Sequence, residues 1–150
     1  MGLKQRLDDD LKAALLSGDR FKTDVLRGLK AVVLNEEVAK GVRETGLEEA
    51  VIEQLFAREV KKRAESATLY DQAQRPELSE NERAEAKVIE VYLPEQVSEA
   101  DIAAAVAETI AQLGVSGPQA MGQVIGAVKG KFGNSADGSL IARIVKEQLS

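Results

Sequence analysis

Any chemistry in this chain must come from carboxylates, amines, guanidinium groups and hydroxyls, because its 150 residues include no histidine and no cysteine. Thiolate nucleophiles, Ser-His pairs, disulfides and the usual nitrogen- and sulfur-ligated zinc sites are therefore excluded. A carboxylate pair, a Ser-Lys dyad or carboxylate-bound magnesium would remain, but none of the 25 Asp and Glu residues stands at a recognisable spacing for these. They read as solvated helix faces. The cations are more informative. Residues 121–150 hold Lys129, Lys131, Arg143 and Lys146 against Asp137 and Glu147, whereas residues 95–120 hold Glu95, Glu99, Asp101 and Glu108 with no Lys or Arg. A local excess of amines and a guanidinium binds phosphate without breaking any bond. The expected chemistry is thus recognition of an anion, with no catalytic residue, no metal and no cofactor.

Two short helices must position these groups. Met121, Val124, Ile125 and Val128 share one helical face, while Gly122, Gly126 and Gly130 form a separate stripe. Each interior glycine costs about 1 kcal/mol against alanine, so three in register imply that something approaches the backbone closely. A neighbouring helix is the plainer explanation, and a nucleic-acid backbone the functional one. In the next helix Leu140, Ile141, Ile144 and Val145 form the apolar side, which leaves Ser139, Arg143 and Lys146 outward. Asp137 is placed to cap it. The candidate nucleic-acid-binding set is Gly122, Gly126, Lys129, Lys131, Asn134, Arg143 and Lys146. Gly126 to Lys131 is one residue short of a phosphate-binding loop, has Phe132 where Ser or Thr is required, and follows no strand. Arg58, Lys61 and Lys62 make a second, weaker basic face beside the Ile52, Phe56 and Val60 stripe.

The rest of the chain predicts an all-α fold of seven helices, since aromatics are 3% and period-2 alternation is nowhere sustained. Leu3, Leu7, Leu11 and Leu15 stripe a first helix that stops at Gly18. Asp19 caps a second whose Phe21, Val25, Leu29 and Val32 face inward until Gly41. Thr45 with Glu48, Ser79 with Glu82 and Ser116 with Gln119 match the reciprocal capping pattern, and Ser98 with Asp101 is its acidic variant. Later helices are expected at about 47–74, closed by Arg75-Pro76, then 80–93, 99–113, 118–129 and 138–149. Pro94 breaks the pattern and marks a boundary. The expected architecture is an N-terminal four-helix bundle-like domain, residues 1–93, followed by a small three-helix tail domain, residues 94–150. No apolar run approaches the roughly 18 residues of a membrane span and no secretory leader is legible, so a cytoplasmic location is expected. The net charge of −5 argues against indiscriminate nucleic-acid binding.

Tyr92-Leu93-Pro94-Glu95-Gln96-x-Ser98, then Met121-Gly122-x-Val124 and Ala136-Asp137-Gly138-x-Leu140-Ile141-x-x-Ile144-Val145, resemble the Yqey-like proteins, with Leu26-Arg27-x-Leu29-Lys30-Ala31 in support. The tail of that family is similar to the tail of the B subunit of the glutamine-dependent aminoacyl-tRNA amidotransferase. The resemblance implies a two-domain helical fold and, through the B subunit, contact between the tail and the elbow of a tRNA. It also implies an association with carbon-nitrogen ligation using glutamine as amido donor, although the subunit's catalytic cradle is not represented here. Gly122, Asp137, Gly138 and Lys146 are the residues carried over, none as catalytic. The leading expectation is a non-catalytic RNA-binding accessory protein, and the alternative is a protein-protein adaptor that receives a partner helix on the glycine stripe.

Overall fold

A computed structural model describes residues 2–150, and every regular element among them is helical. The elements are α1 Leu3–Ser17, α2 Arg20–Lys40, α3 Glu49–Gln72, α4 Pro76–Glu90, α5 Glu99–Leu113, α6 Met121–Phe132 and α7 Gly138–Leu149, with single 3-10 turns at Pro118–Ala120 and Gly133–Ser135. The chain divides into two compact units between Leu93 and Pro94. Gly18 and Gly41 end α1 and α2 in the left-handed region, at φ 75° and 68°, where a side chain is strained. Asp19, Ser98 and Asp137 cap α2, α5 and α7 by accepting from the amides of Lys22, Asp101 and Ser139.

Three expected caps are not used. Ahead of α3 the Thr45 hydroxyl donates to the Val42 carbonyl, and Glu48 holds the N-cap position without a side-chain bond. The α6 helix follows the Pro118–Ala120 turn with Ala120 as its uncapped flank, so Ser116 starts nothing. At α4, Pro76 opens the helix instead of merely closing the previous one, because its fixed φ suits the first helical position. Ser79 therefore falls inside α4, fully buried, with its hydroxyl accepting from Arg83. Small side chains at Ala67 and Ser79 let α3 and α4 pack closely. Beside them Arg63 pairs with Glu59 and Glu85, and Arg83 with Asp71, whose carboxyl the Arg83 hydrogen bond holds below its usual range. Between the two helices Gln74 takes φ 58°, a non-glycine residue in a glycine conformation, with the Arg75 amide bonded back to the Tyr70 carbonyl. Gln74→Gly should stabilise the protein by about 0.5–1 kcal/mol, read from urea denaturation midpoints at constant slope.

The first core is formed by Leu3, Leu7, Leu11 and Ala14 of α1, Val25, Leu26, Leu29 and Val33 of α2, Ile52, Leu55 and Phe56 of α3, Ile89 of α4, and Tyr92. Two residues of the expected stripes lie outside it: Leu15 is 50% exposed and Phe21 40%. Ala14, Leu26 and Val33 take the inward positions instead. Glu37 is buried among these helices, its carboxylate 2.9 Å from Lys4 Nζ, and Glu49 accepts from the Leu3 amide, so carboxylates from α2 and α3 tie down the start of α1.

Tyr92 closes the unit. Its ring packs edge-on to Phe56 with centroids 5.9 Å apart, the Arg6 guanidinium lies 4.8 Å from its centroid, and its hydroxyl donates to Asp10. Burial first, and then the Asp10 bond, push the phenol well above its ordinary value of 10.0. A raised folded-state value means that the stabilisation is complete below the unfolded phenol's value and is lost as pH rises beyond it. Stability measured by denaturant titration should therefore fall above about pH 10, and Tyr92→Phe should flatten that fall.

The second core is separate. Ile102 and Val106 of α5, Ala120, Val124 and Val128 before and within α6, and Ile141, Ile144, Val145 and Leu149 of α7 pack together, with Met121, Ile125 and Leu140 at its margin.

Candidate functional site

The tail presents α6 with its apolar face turned inward and the opposite face bare. Val124 and Val128 are fully buried, whereas Gly122, Gly126 and Gly130 are not. A Cβ built on any of these three glycines would meet, beyond its chain neighbours and the backbone of its own helix, no atom within 4 Å. The neighbouring helix expected to explain the stripe is thus not there among the described residues. The glycines stay open, and their cost of about 3 kcal/mol in helix propensity is not recovered by packing inside the tail.

The four cations divide into two classes. Lys129 and Lys146 are exposed and have no carboxylate within 4 Å among the described residues. The Lys129 chain runs beside the start of α7, where a Cβ at Gly138 would come within 2.9 Å of its Cε. Gly138 therefore leaves the space that the end of this lysine side chain occupies. Lys146 lies on the exposed surface of the same helix, about two turns beyond Gly138. Arg143, by contrast, donates from Nη2 to Glu99 of α5 at 2.7 Å and sits 3.5 Å from Glu147. The Glu99 bond raises the guanidinium further above its already high value. Lys131 lies 3.9 Å from Glu108 of α5 and 5.8 Å from the Phe132 ring centroid.

Asn134 occupies the 3-10 turn between α6 and α7. Its carbonyl accepts from Gln96 Nε2 at 3.0 Å, and the Val97 amide donates to the neighbouring Ser135 carbonyl at 2.8 Å. The segment before α5 is thereby pinned to the corner that carries Asn134. Residue type alone does not single out Gln96; only the motif Tyr92-Leu93-Pro94-Glu95-Gln96-x-Ser98 points to it. The structure gives that motif's members separate duties: Tyr92 in the first core, Gln96 and Val97 on the α6–α7 corner, and Ser98 as the α5 cap. Glu99 and Glu108 are visible in the sequence only as part of an acidic stretch, since spacing along the chain says nothing about partners such as Arg143, 44 residues from Glu99.

The second basic face carries Arg58, Lys61 and Lys62 on α3. No group of three or more acidic residues able to hold a metal occurs among the described residues, and no helix is long and apolar enough to cross a membrane.

Comparison with known proteins agrees with the motifs. Over 115 residues the chain is 30% identical to altered inheritance of mitochondria protein 41, mitochondrial, of Lachancea thermotolerans, covering 75% of this chain and 60% of that protein. Over 86 residues it is 29% identical to the protein of the same name from Kluyveromyces lactis, covering 57% of this chain and 45% of that one. The chain thus spans about half the length of these curated relatives. A family model described as Yqey-like protein matches residues 4–149, essentially the whole chain from α1 to α7, and the chain belongs to that family.

Proposed function

We propose that this chain is a non-catalytic, cytoplasmic RNA-binding accessory protein that uses its tail to hold tRNA or another structured RNA. The observation that carries this reading is the open glycine stripe of α6, together with two exposed lysines of the tail, Lys129 and Lys146, that have no carboxylate partner among the described residues. A helix face without side chains admits a sugar-phosphate backbone or shallow groove to van der Waals distance, and RNA duplexes are recognised through such shape and phosphate contacts. The likeness of the tail motifs to the amidotransferase B subunit supports the same ligand. It also links the protein to tRNA-dependent amidation, as a holder of the RNA while another protein performs the amide transfer. The absence of histidine and cysteine from the sequence is consistent with that division of labour.

Filter binding of the purified protein with total tRNA over a salt series tests the reading. Retention at low salt that declines log-linearly, with the shallow slope of a few phosphate contacts, is the expected result. No retention at low salt rejects it. The same open stripe favours a second reading, an adaptor that receives a partner helix against its glycines. That reading requires a partner whose co-purification survives RNase treatment.

A further inference from the structure

We infer that Glu99 and Glu108 of α5 act as built-in competitors for the tail's anionic ligand, occupying Arg143 and Lys131 until a phosphate backbone displaces them. This rests on the RNA reading above and adds to it a means by which the tail refuses weaker anions.

The arrangement has the needed asymmetry. Every Lys and Arg of the tail lies on α6 or α7, and α5 carries only acids among its charges. Two of those acids reach across to two of the four cations, at 2.7 Å for Arg143 and 3.9 Å for Lys131. Fastening α5 to its neighbours does not require them, because Ile102 and Val106 already bury against the apolar faces of α6 and α7. All four side chains are more than half exposed, so a ligand can reach the cations without opening the core. Exposed pairs of this kind are weak and exchange readily with other anions. Glu99 also sits in the first turn of α5, where the helix dipole favours its charge and keeps it in place.

An isolated anion therefore meets two available lysines, Lys129 and Lys146. A ligand with many phosphates at fixed spacing can displace both carboxylates, and Glu147 from the other side of Arg143, and engage all four cations, so the competition costs it proportionately less. The acidic total of −5 works in the same direction against non-specific polyanions.

The test uses the full chain carrying Glu99→Gln, Glu108→Gln, or both, with Glu95→Gln as control. Glu95 is an exposed acid of the tail with no cation within 4 Å among the described residues, so its replacement removes the same charge without freeing a partner. In filter binding with total tRNA the double variant should bind about five- to tenfold tighter than the parent, and Glu95→Gln less than about twofold tighter. The log-log salt slope of the double variant should steepen by about 0.7–0.9 for each additional phosphate that the freed cations neutralise. Adding Arg143→Gln to Glu99→Gln should cancel the tightening seen in that single variant, and unchanged thermal melts would show that the tail remains folded. If both Gln variants match Glu95→Gln while Lys129→Glu still weakens binding, the inference is wrong and the RNA reading stands. If no variant and no parent protein binds tRNA, both are overturned.

Discussion

Converting Lys129 and Lys146 together to glutamate is expected to lower tRNA affinity by about a hundredfold at low salt, enough to remove retention in a filter assay. Each lysine supplies one charge-assisted phosphate contact in the proposed complex. Such a contact contributes about 1.5 kcal/mol net, close to a factor of ten in affinity, and the introduced carboxylates add repulsion. These two lysines should matter more than Lys131 and Arg143, because the latter surrender the carboxylates of Glu108, Glu99 and Glu147 before they engage a phosphate. Lys131→Glu with Arg143→Glu should accordingly cost about tenfold, and all four reversals together should abolish binding. Since the reversed side chains are exposed, circular dichroism should show unchanged helix content. An equal loss from the two pairs, or no loss from either, would contradict the division of the cations into free and engaged classes.

What the sequence disclosed follows from which interactions are local. Glycine at a helix terminus and proline after Leu93 act through their own backbone geometry, so Gly18, Gly41 and the interruption of the helical pattern at Pro94 were legible from residue type alone. Long-range stripes were legible less far. Residues four apart advance about 40° around a helix, so leucines at 3, 7, 11 and 15 drift by about 120° over the run. By Leu15 the stripe has rotated off the core, and Ala14 replaces it. Phe21 lies outside the second helix's buried sector for the same reason, with Leu26 and Val33 inside. The capping pattern failed at Ser79 because Ser-x-x-Glu also occurs inside helices, and Pro76 had already supplied the start.

At the candidate site the glycines and cations were found by type, but neither the openness of the stripe nor the capture of Arg143 by Glu99 could be. Both depend on where three helices lie around the core of Val124, Val128 and Ile141. A glycine stripe looks the same in sequence whether a helix covers it or solvent does.

Phe56→Ala should destabilise the N-terminal unit by about 3–5 kcal/mol while leaving the tail intact. Phe56 is wholly buried, lies centrally among Ile52, Leu55 and the α1 and α2 leucines, and supports the Tyr92 ring that closes the unit. Its truncation removes both transfer free energy and the edge-to-face contact, and it leaves a cavity that rigid helices fill poorly. For a unit of this size such a loss lowers Tm by more than about 12 °C. The chain contains its own probe. It has no tryptophan, and both tyrosines, Tyr70 and Tyr92, precede Pro94, so tyrosine fluorescence reports on the first unit alone. Far-ultraviolet circular dichroism follows helices of both units. In Phe56→Ala the tyrosine transition should move down, while the dichroism melt splits and keeps an unshifted upper part. Ile141→Ala, which removes a fully buried residue of the second core, should do the reverse and leave the tyrosine signal in place. The two apolar clusters share no residue, so a cavity in one leaves the packing of the other untouched. If either substitution moved both signals together, folding would be one cooperative event across Pro94, and the tail's RNA-binding variants would then have to be interpreted against the stability of the whole chain.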